Sequence, residues 1–292
     1  MHINEQLKDR ITHLSNLPTL PQVASRLMKI INDPLTSSSD AAFVIGQDLS
    51  LSAKVLRLAN SAFYGIPRSI TNLNNAVVIL GLKVINTLVL SLTVFDLFPE
   101  SRSSAALFDR KAFWLHSLSC GVAAKLLVSK SKKLILFDPE EAFCTGLLHD
   151  IGKVIMEQYF HEDFHEALKT AKNENLPLFK AEQKIMGFDH TDVTQWLTQT
   201  WNLPSEIHLP LIYHHKPSKA DTHQDIIFLC HFSDWLCYET GMVINKKYPA
   251  PDLDPGSVNI LQIQPDDIVE IKKELDIELK KASAFYELAA NG

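Results

Sequence analysis

The sequence predicts an all-α fold, and three observations carry that expectation. Apolar residues recur at helical spacing in almost every segment, no alternating strand run of useful length appears, and Pro, Gly and Asp-Pro breaks punctuate the helical stretches. Residues 21–32 carry Val23, Leu27, Ile30 and Ile31 at helical spacing, with Asp33-Pro34 as the stop. Ser37 to Asp40 supply N-cap residues for a helix over 41–47. The stretch 51–60 repeats the amphipathic pattern through Leu51, Val55, Leu56 and Leu58 until Tyr64-Gly65-Ile66-Pro67 breaks it. Helices over 72–80 and 84–95 follow, separated by Gly81. A polar break at Ser101 to Ser104 is expected to divide two helical halves. The second half carries helices near 108–129, 139–149, 164–173, 178–186, 190–200, 204–215 and 226–238. Residues 241–265, rich in Pro and Asp, read as an irregular connector; a last helix over 265–290 presents Ile268, Ile271, Leu275, Leu279 and Phe285. The expected organisation is an N-terminal helical lobe over 1–100, a second helical lobe over 101–240, and a connector with C-terminal helix over 241–292.

Composition narrows the function classes. At 292 residues there is room for one large or two modest domains, and 46% hydrophobic with 21% charged residues describes an ordinary soluble globular chain. A formal net charge of -6 argues against general affinity for nucleic acid. Lys130, Lys132 and Lys133, the nearest approach to a basic run, read as a solvated helix end. The polar, mixed-charge stretch 1–10 is not a signal peptide. Lys83, Asn86 and Asp96 interrupt the apolar stretch 76–98, which therefore reads as core rather than as a membrane span. Cys120, Cys144, Cys230 and Cys237 show no Cys-x-x-Cys spacing and read as small core residues of a reducing cytoplasm. A cysteine ligand stays open as the alternative, since Cys120 lies one turn after His116 and Cys230 one turn before Asp234.

Polar residues intrude into these apolar helices at a few places. In Gly146-Leu147-Leu148-His149-Asp150-Ile151-Gly152-Lys153, an imidazole and a carboxylate stand side by side after an apolar run. Neighbouring side chains on a helix point roughly 100° apart, so both reach one point when that point is an ion over the helix end. Asp234 lies in the apolar segment 226–236, where an ionised carboxylate is costly unless paired or metal-bound. His116 raises the same question within Phe113-Trp114-Leu115-His116-Ser117-Leu118. His214 and His215 end a helix, and His190 follows Asp189, a natural N-cap. Imidazoles and carboxylates are the usual ligands of a first-row metal ion. A buried histidine taken singly is more commonly satisfied by a carbonyl or carboxylate, and His2, His13, His161, His165, His208, His223 and His231 are read that way. Recurrence sets His116, His149, Asp150 and Asp234 apart as ligands, while His190, His214 and His215 stand open between the two readings. Trp114, Trp196, Trp201 and Trp235 are read as core.

The order His … His-Asp … Asp resembles the signature of the HD superfamily of metal-dependent phosphohydrolases. More narrowly, the chain resembles the HDOD family, helical modules of bacterial signalling proteins, over about 17–238. The N-terminal part of the likeness is carried by Leu17-Pro18-Thr19-Leu20-Pro21, Ile45-Gly46-Gln47-Asp48, the block from Leu56 through Asn60-Ser61 to Tyr64, and Ala76 to Gly81. The C-terminal part is carried by Phe113 to Ser117, Gly146 to Lys153, Gly187-Phe188-Asp189-His190, Trp201-Asn202-Leu203-Pro204 and Tyr213-His214-His215. The resemblance implies an HD-like helical bundle with an N-terminal helical lobe, and regulation rather than turnover. It also implies that His190, His214 and His215 match the extra histidines with which the related HD-GYP phosphodiesterases hold a second metal. Lys216-Pro217-Ser218 stands where a Gly-Tyr-Pro segment would be, which argues against cyclic dinucleotide cleavage. Leu49 replaces a proline common after the aspartate, a change that bears on a turn rather than on chemistry.

The leading expectation is a cytoplasmic signalling module with an HD-like pocket, one or two divalent ions (Mn, Fe, Mg, Ni or Zn) per chain, and a protein partner. A phosphate-containing ligand fits the same pocket; nucleic acid and membrane are not expected. The competing expectation is an active phosphohydrolase. His116, His149, Asp150 and Asp234 would then hold one ion, and His190 with His214 or His215 a second. Asp150 and Lys153 would be its catalytic residues, Lys153 neutralising the developing phosphate charge.

Overall fold

The computed structural model describes residues 4–12, 18–31, 33–99, 108–131, 134, 137–241 and 249–290. Among them are helices and turns and no strand, so the fold is all-α as expected. In chain order the first helices are α1 (Glu5–Thr12), α2 (Gln22–Ile31), α3 (Ser38–Ile45), α4 (Leu49–Ala59), α5 (Leu73–Leu80) and α6 (Leu82–Leu97). Then come α7 (Arg110–Lys130), α8 (Pro139–Leu148), α9 (Ile151–Tyr159), α10 (His161–Glu174) and α11 (Leu178–Met186). The last are α12 (His190–Thr200), α13 (Ser205–Tyr213), α14 (Gln224–Thr240), α15 (Gly256–Leu261) and α16 (Pro265–Ala290). The chain forms two compact units, one of residues 1–17 and 101–275, the other of 18–100 and 276–292, so α16 contributes to both.

The unit of 18–100 and 276–292 is punctuated by side-chain caps. Ser37 and Asp40 form a reciprocal capping box on α3, Asp48 accepts from the Leu51 amide at the start of α4, and Asn72 accepts from the Asn75 amide at α5. Leu49 is the first residue of α4, a position where proline is tolerated, which accounts for its replacement without loss of the helix. Asn60 fastens the loop that follows α4: its Nδ2 donates to the carbonyls of Leu56 and Ile70, both at 2.8 Å, and its Oδ1 accepts from the Ile70 amide at 2.8 Å. In that loop Phe63 packs edge-on against Tyr64 and against Phe285 of α16, with centroids 5.0 and 5.4 Å apart. The Asn60-Ser61 block thus serves the local fold.

In the other unit α7 packs along α8, and α14 lies against both; α12 packs on α9 and α13, and α10 on α9 and α11. Phe113, Trp114, Phe143, Phe228 and Phe232 are fully buried here. Each such side chain contributes about 1.5–3 kcal/mol of transfer free energy. That gain makes α7 and α14 core helices and leaves His116 and Asp234, on the same helices, in need of polar partners. By length and composition α7 is apolar enough to cross a membrane, as is the α5–α6 pair if its 118° bend is ignored; α7 is mostly buried within the protein.

The structure departs from the sequence reading at four elements. The stretch 1–10, read only as polar and mixed in charge, carries most of α1 from Glu5 on. Helix α9, absent from the expected set, begins directly after Asp150, and α10 begins at His161 rather than at Phe164. Residues 241–265, expected to be irregular, contain α15, opened by Pro255; six residues are too few to show a helical period. The break at Ser101 to Ser104, Leu17, Lys132, Lys133, His2, His13 and residues 242–248 lie outside the described residues.

Candidate metal centre

Two glycines bring the candidate ligands within reach of one another. A Cβ on Gly146 would stand 2.4 Å from the carbonyl oxygen of Cys120, so only glycine lets α8 lie this closely on α7. A Cβ on Gly152 would stand 2.0 Å from the carbonyl oxygen of His190, so α9 meets α12 on the same terms. The first approach sets His149 beside His116; the second sets Asp150 beside His190.

Helix ends then aim the imidazoles. His149 is the C-cap of α8, and its Nδ1 lies 2.8 Å from the Gly146 carbonyl oxygen. His214 is the C-cap of α13, with Nδ1 2.9 Å from the Leu211 carbonyl oxygen. Each ring donates to a carbonyl left orphaned by its helix terminus and turns Nε2 the other way. His190 opens α12 after the Asp189 cap; its Nδ1 stands 2.6 Å from Glu182 Oε2, which also accepts from the His190 amide at 3.0 Å. A carboxylate behind a histidine in this manner is how ligand rings are oriented at metal sites.

The groups form two sets, buried except for the half-buried His215. His116, Cys120, His149 and Asp234 each offer a donor atom, all within 4.8 Å of one another, and Asp150, His190, His214 and His215 do the same. Asp150 faces both. Its Oδ2 lies 3.2 Å from His149 Nε2 and 3.7 Å from His116 Nε2, and its Oδ1 lies 3.2 Å from His190 Nε2 and 3.6 Å from His214 Nε2. Asp234 Oδ1 stands 3.1 Å from His116 Nε2 and 3.6 Å from His149 Nε2. His215 stacks on Phe179 and brings its Nε2 to 3.0 Å from that of His190. His149 Nε2, Asp150 Oδ1, His214 Nε2 and Asp234 Oδ1 are buried without a hydrogen bond. Such orphans are rare in native cores; a cation in each set would satisfy them, His149 and Asp234 in the first, Asp150 Oδ1 and His214 in the second.

Electrostatics fit that reading. Burial opposes ionisation of Asp150, but the charges of His149 and Lys153 outweigh it and hold the carboxyl well below its usual range. Asp234 is likewise held low, burial being outweighed by His116 and His149. Burial would push His149 down, yet Asp150 and Asp234 raise it to about 10; for His190, Glu182 and Asp150 overcome burial and raise it to about 9. Burial dominates at His214, lowered to about 4. Lys153, almost fully buried, keeps its proton through Asp150, whose Oδ2 lies 2.5 Å from Nζ. Burial and the neighbouring Cys237 push the Cys120 thiol well up.

All seven candidate ligands lie in these two sets, and Lys153 contacts Asp150. One contributor escaped the sequence reading, and a second was left open there. Glu182, fully buried, sits eight residues before His190 with no motif to announce it; Cys120, read as core with a cysteine ligand left open, lies beside the His116 ring, its Sγ 3.6 Å from Nε2 and 3.8 Å from Nδ1. His231, outside the ligand set, supports it: its Nδ1 lies 2.6 Å from the His214 carbonyl oxygen, and its Nε2 accepts from the Asp254 amide. His208 pairs with Thr198 through Nδ1 and Oγ1 at 2.6 Å.

The sequence model of the HDOD domain matches residues 17–217. An uncharacterised protein of Treponema pallidum (strain Nichols) is 24% identical over 229 residues, which are 78% of this chain and 43% of that protein; the chain spans under half the length of this curated relative. Among solved structures, an HDOD domain protein of unknown function from Geobacter sulfurreducens is 24% identical, with a TM-score of 0.74 over 98% of this chain and 95% of that one. A candidate signal transduction protein from Marinobacter aquaeolei VT8 is 20% identical, with a TM-score of 0.80 over 98% of this chain and 65% of that one. A candidate phosphohydrolase from Shewanella amazonensis SB2B is 19% identical, with a TM-score of 0.73 over 96% of this chain and 98% of that one. At these identities the likeness speaks for the fold.

Proposed function

The chain belongs to the HDOD family, and on that premise we propose that it is a signalling module whose HD-like unit holds divalent metal for regulation rather than for turnover. The observation that carries this reading is the closure of the site. Six of the seven candidate ligands, His116, His149, Asp150, His190, His214 and Asp234, are buried, the most exposed of them at 3%, and only His215 is half-buried. A catalytic metal site keeps a position open for water or substrate, whereas a structural one is closed by its ligands. Lys153 is committed in the same way: its ammonium is buried against Asp150, the geometry of a charge-balancing group rather than of one waiting for phosphate.

Ligands drawn from α7, α12, α13, α14 and the α8–α9 junction make ion occupancy a tie across one unit. Loading the site would stiffen that unit and bias what it presents to a protein partner. The other unit offers surface for one: α3 and α5, packed together, leave Phe43, Val78 and Ile79 exposed. Residence in the cytoplasm accords with four free cysteines and no disulfide among the described residues.

One observation favours the enzyme as a second reading. A carboxylate shared by two ligand sets, as Asp150 is, is the arrangement a two-metal phosphohydrolase requires. Bound metal would supply Lewis acidity there. Screening the metal-loaded chain against cyclic dinucleotides and common phosphoesters separates the two. We expect negligible hydrolysis with Mn²⁺ or Mg²⁺ supplied; robust turnover abolished by both His149→Ala and Asp150→Ala establishes the enzyme instead.

A further inference from the structure

The candidate ligands are not held alike. His149, His190 and His214 each have Nδ1 fixed from behind, by the Gly146 carbonyl, the Glu182 carboxylate and the Leu211 carbonyl. Turning any of these rings breaks a buried hydrogen bond. His116 is buried within α7. His215 has none of these restraints. It follows the C-cap of α13, in the turn beyond the helix. Its Nδ1 is buried without a hydrogen bond, and it alone among the candidate ligands is half-buried. What holds its ring is a flat stack on Phe179, with centroids 4.4 Å apart and planes 16° apart, and the 3.0 Å approach of its Nε2 to that of His190.

We propose that His215 is the exchangeable ligand of the second position: its ring swings off Phe179 to let an ion enter or leave, then closes over it. The inference rests on the metal centre proposed above and assigns which of its two positions answers to the supply of ions.

Geometry supports both states of the ring. Two nitrogens bound at about 2.1 Å stand about 3.0 Å apart on one ion at octahedral angles, the separation found between His190 and His215. With the ring turned in, His215 therefore completes the set. With the ring turned out, Asp150, His190 and His214 remain, three protein ligands and an open position, which is the make-up of a site that admits an outside ligand. Undoing the stack on Phe179 slows opening only about two- to tenfold, whereas the other anchored rings must also give up a hydrogen bond. The first set has no comparable member. His116, Cys120, His149 and Asp234 are at most 3% exposed, so the first ion stays while the second exchanges.

Stopped-flow mixing of the metal-free full chain with rising Co²⁺, followed by visible absorption, reads the step. Where opening must precede entry, one phase in the wild type climbs with Co²⁺ and then levels off at the opening rate. His215→Ala removes the gate, and that phase should rise in proportion to Co²⁺ with no plateau. Phe179→Leu keeps the ligand and an apolar neighbour but not the stack, and should raise the plateau about two- to tenfold. This variant decides the matter if His215→Ala fails to fold or to take up the second ion. A plateau that survives in His215→Ala, or one unmoved by Phe179→Leu, overturns the inference. A wild type that binds Co²⁺ with no plateau also overturns it, and leaves the metal centre standing. Failure of Co²⁺ to bind at all removes the centre itself, and this inference with it.

Discussion

Gly152→Ala puts the account under a sharp mechanical load. The added Cβ would meet the His190 carbonyl oxygen at 2.0 Å, the Thr194 Oγ1 at 2.7 Å and the His190 carbonyl carbon at 2.9 Å. Two of the three are backbone atoms, so relief requires α12 to withdraw from α9 by about 1.4 Å to restore ordinary contact. His190 Nε2 now stands 3.2 Å from Asp150 Oδ1. Two donors on one ion stand at most about 4.2 Å apart, twice a bond of about 2.1 Å, and a withdrawal of that size carries His190 beyond the limit. Overpacking costs about 1–3 kcal/mol, and the Gly152 amide also loses its 3.1 Å bond to Thr194 Oγ1, about 1 kcal/mol more. The better helix propensity of alanine returns at most about 1 kcal/mol. The net loss of about 1–3 kcal/mol should lower the urea midpoint by about 1 M at a slope of about 2 kcal/mol per M. In metal titration the second ion should be lost and the first retained. A variant with the wild-type midpoint and both ions bound would refute the claim that this glycine sets the α9–α12 approach and, through it, the second site.

Glu182→Gln keeps the shape behind His190 and removes the charge; it should weaken the second ion about 10–100-fold and leave the first unchanged, and a competition titration showing equal loss at both sites would count against this division. Ion affinity should rise with pH. His149 and His190, raised to about 10 and about 9, hold protons that an ion must displace, so each displaced proton weakens binding by up to about tenfold per unit as pH falls below those values; calorimetric titration at pH 6, 7 and 8 reads this, and a flat profile contradicts it. Asn60→Ala unfastens the loop after α4 and leaves the buried Ile70 amide unpaired, which should cost about 1–3 kcal/mol in a urea melt without changing metal stoichiometry.

The sequence made most of the fold legible because its helices are long, amphipathic and capped: Ser37 with Asp40, Asp48, Asn72 and Asp189 all act as N-caps. Helix α15 escaped because it is six residues long. Helix α9 escaped because the residues before it belong to the metal motif, and its opening turn reads as motif rather than as helix start. At the site, the ligands stood out as polar residues in apolar helices. Glu182 did not, since α11 is amphipathic and a glutamate there looks like its solvated face; only the packing of α11 reveals that this side chain turns inward.

Metal content of the full chain, isolated without added metal or chelator, tests the central claim most directly when wild type is set beside Asp150→Ala. Asp150 turns one oxygen to each ligand set, and a methyl group replaces neither. The account expects at least one divalent ion per chain in the wild type and most of it gone in the variant. A wild type free of metal, or a variant whose content matches the wild type, would contradict a centre built on Asp150.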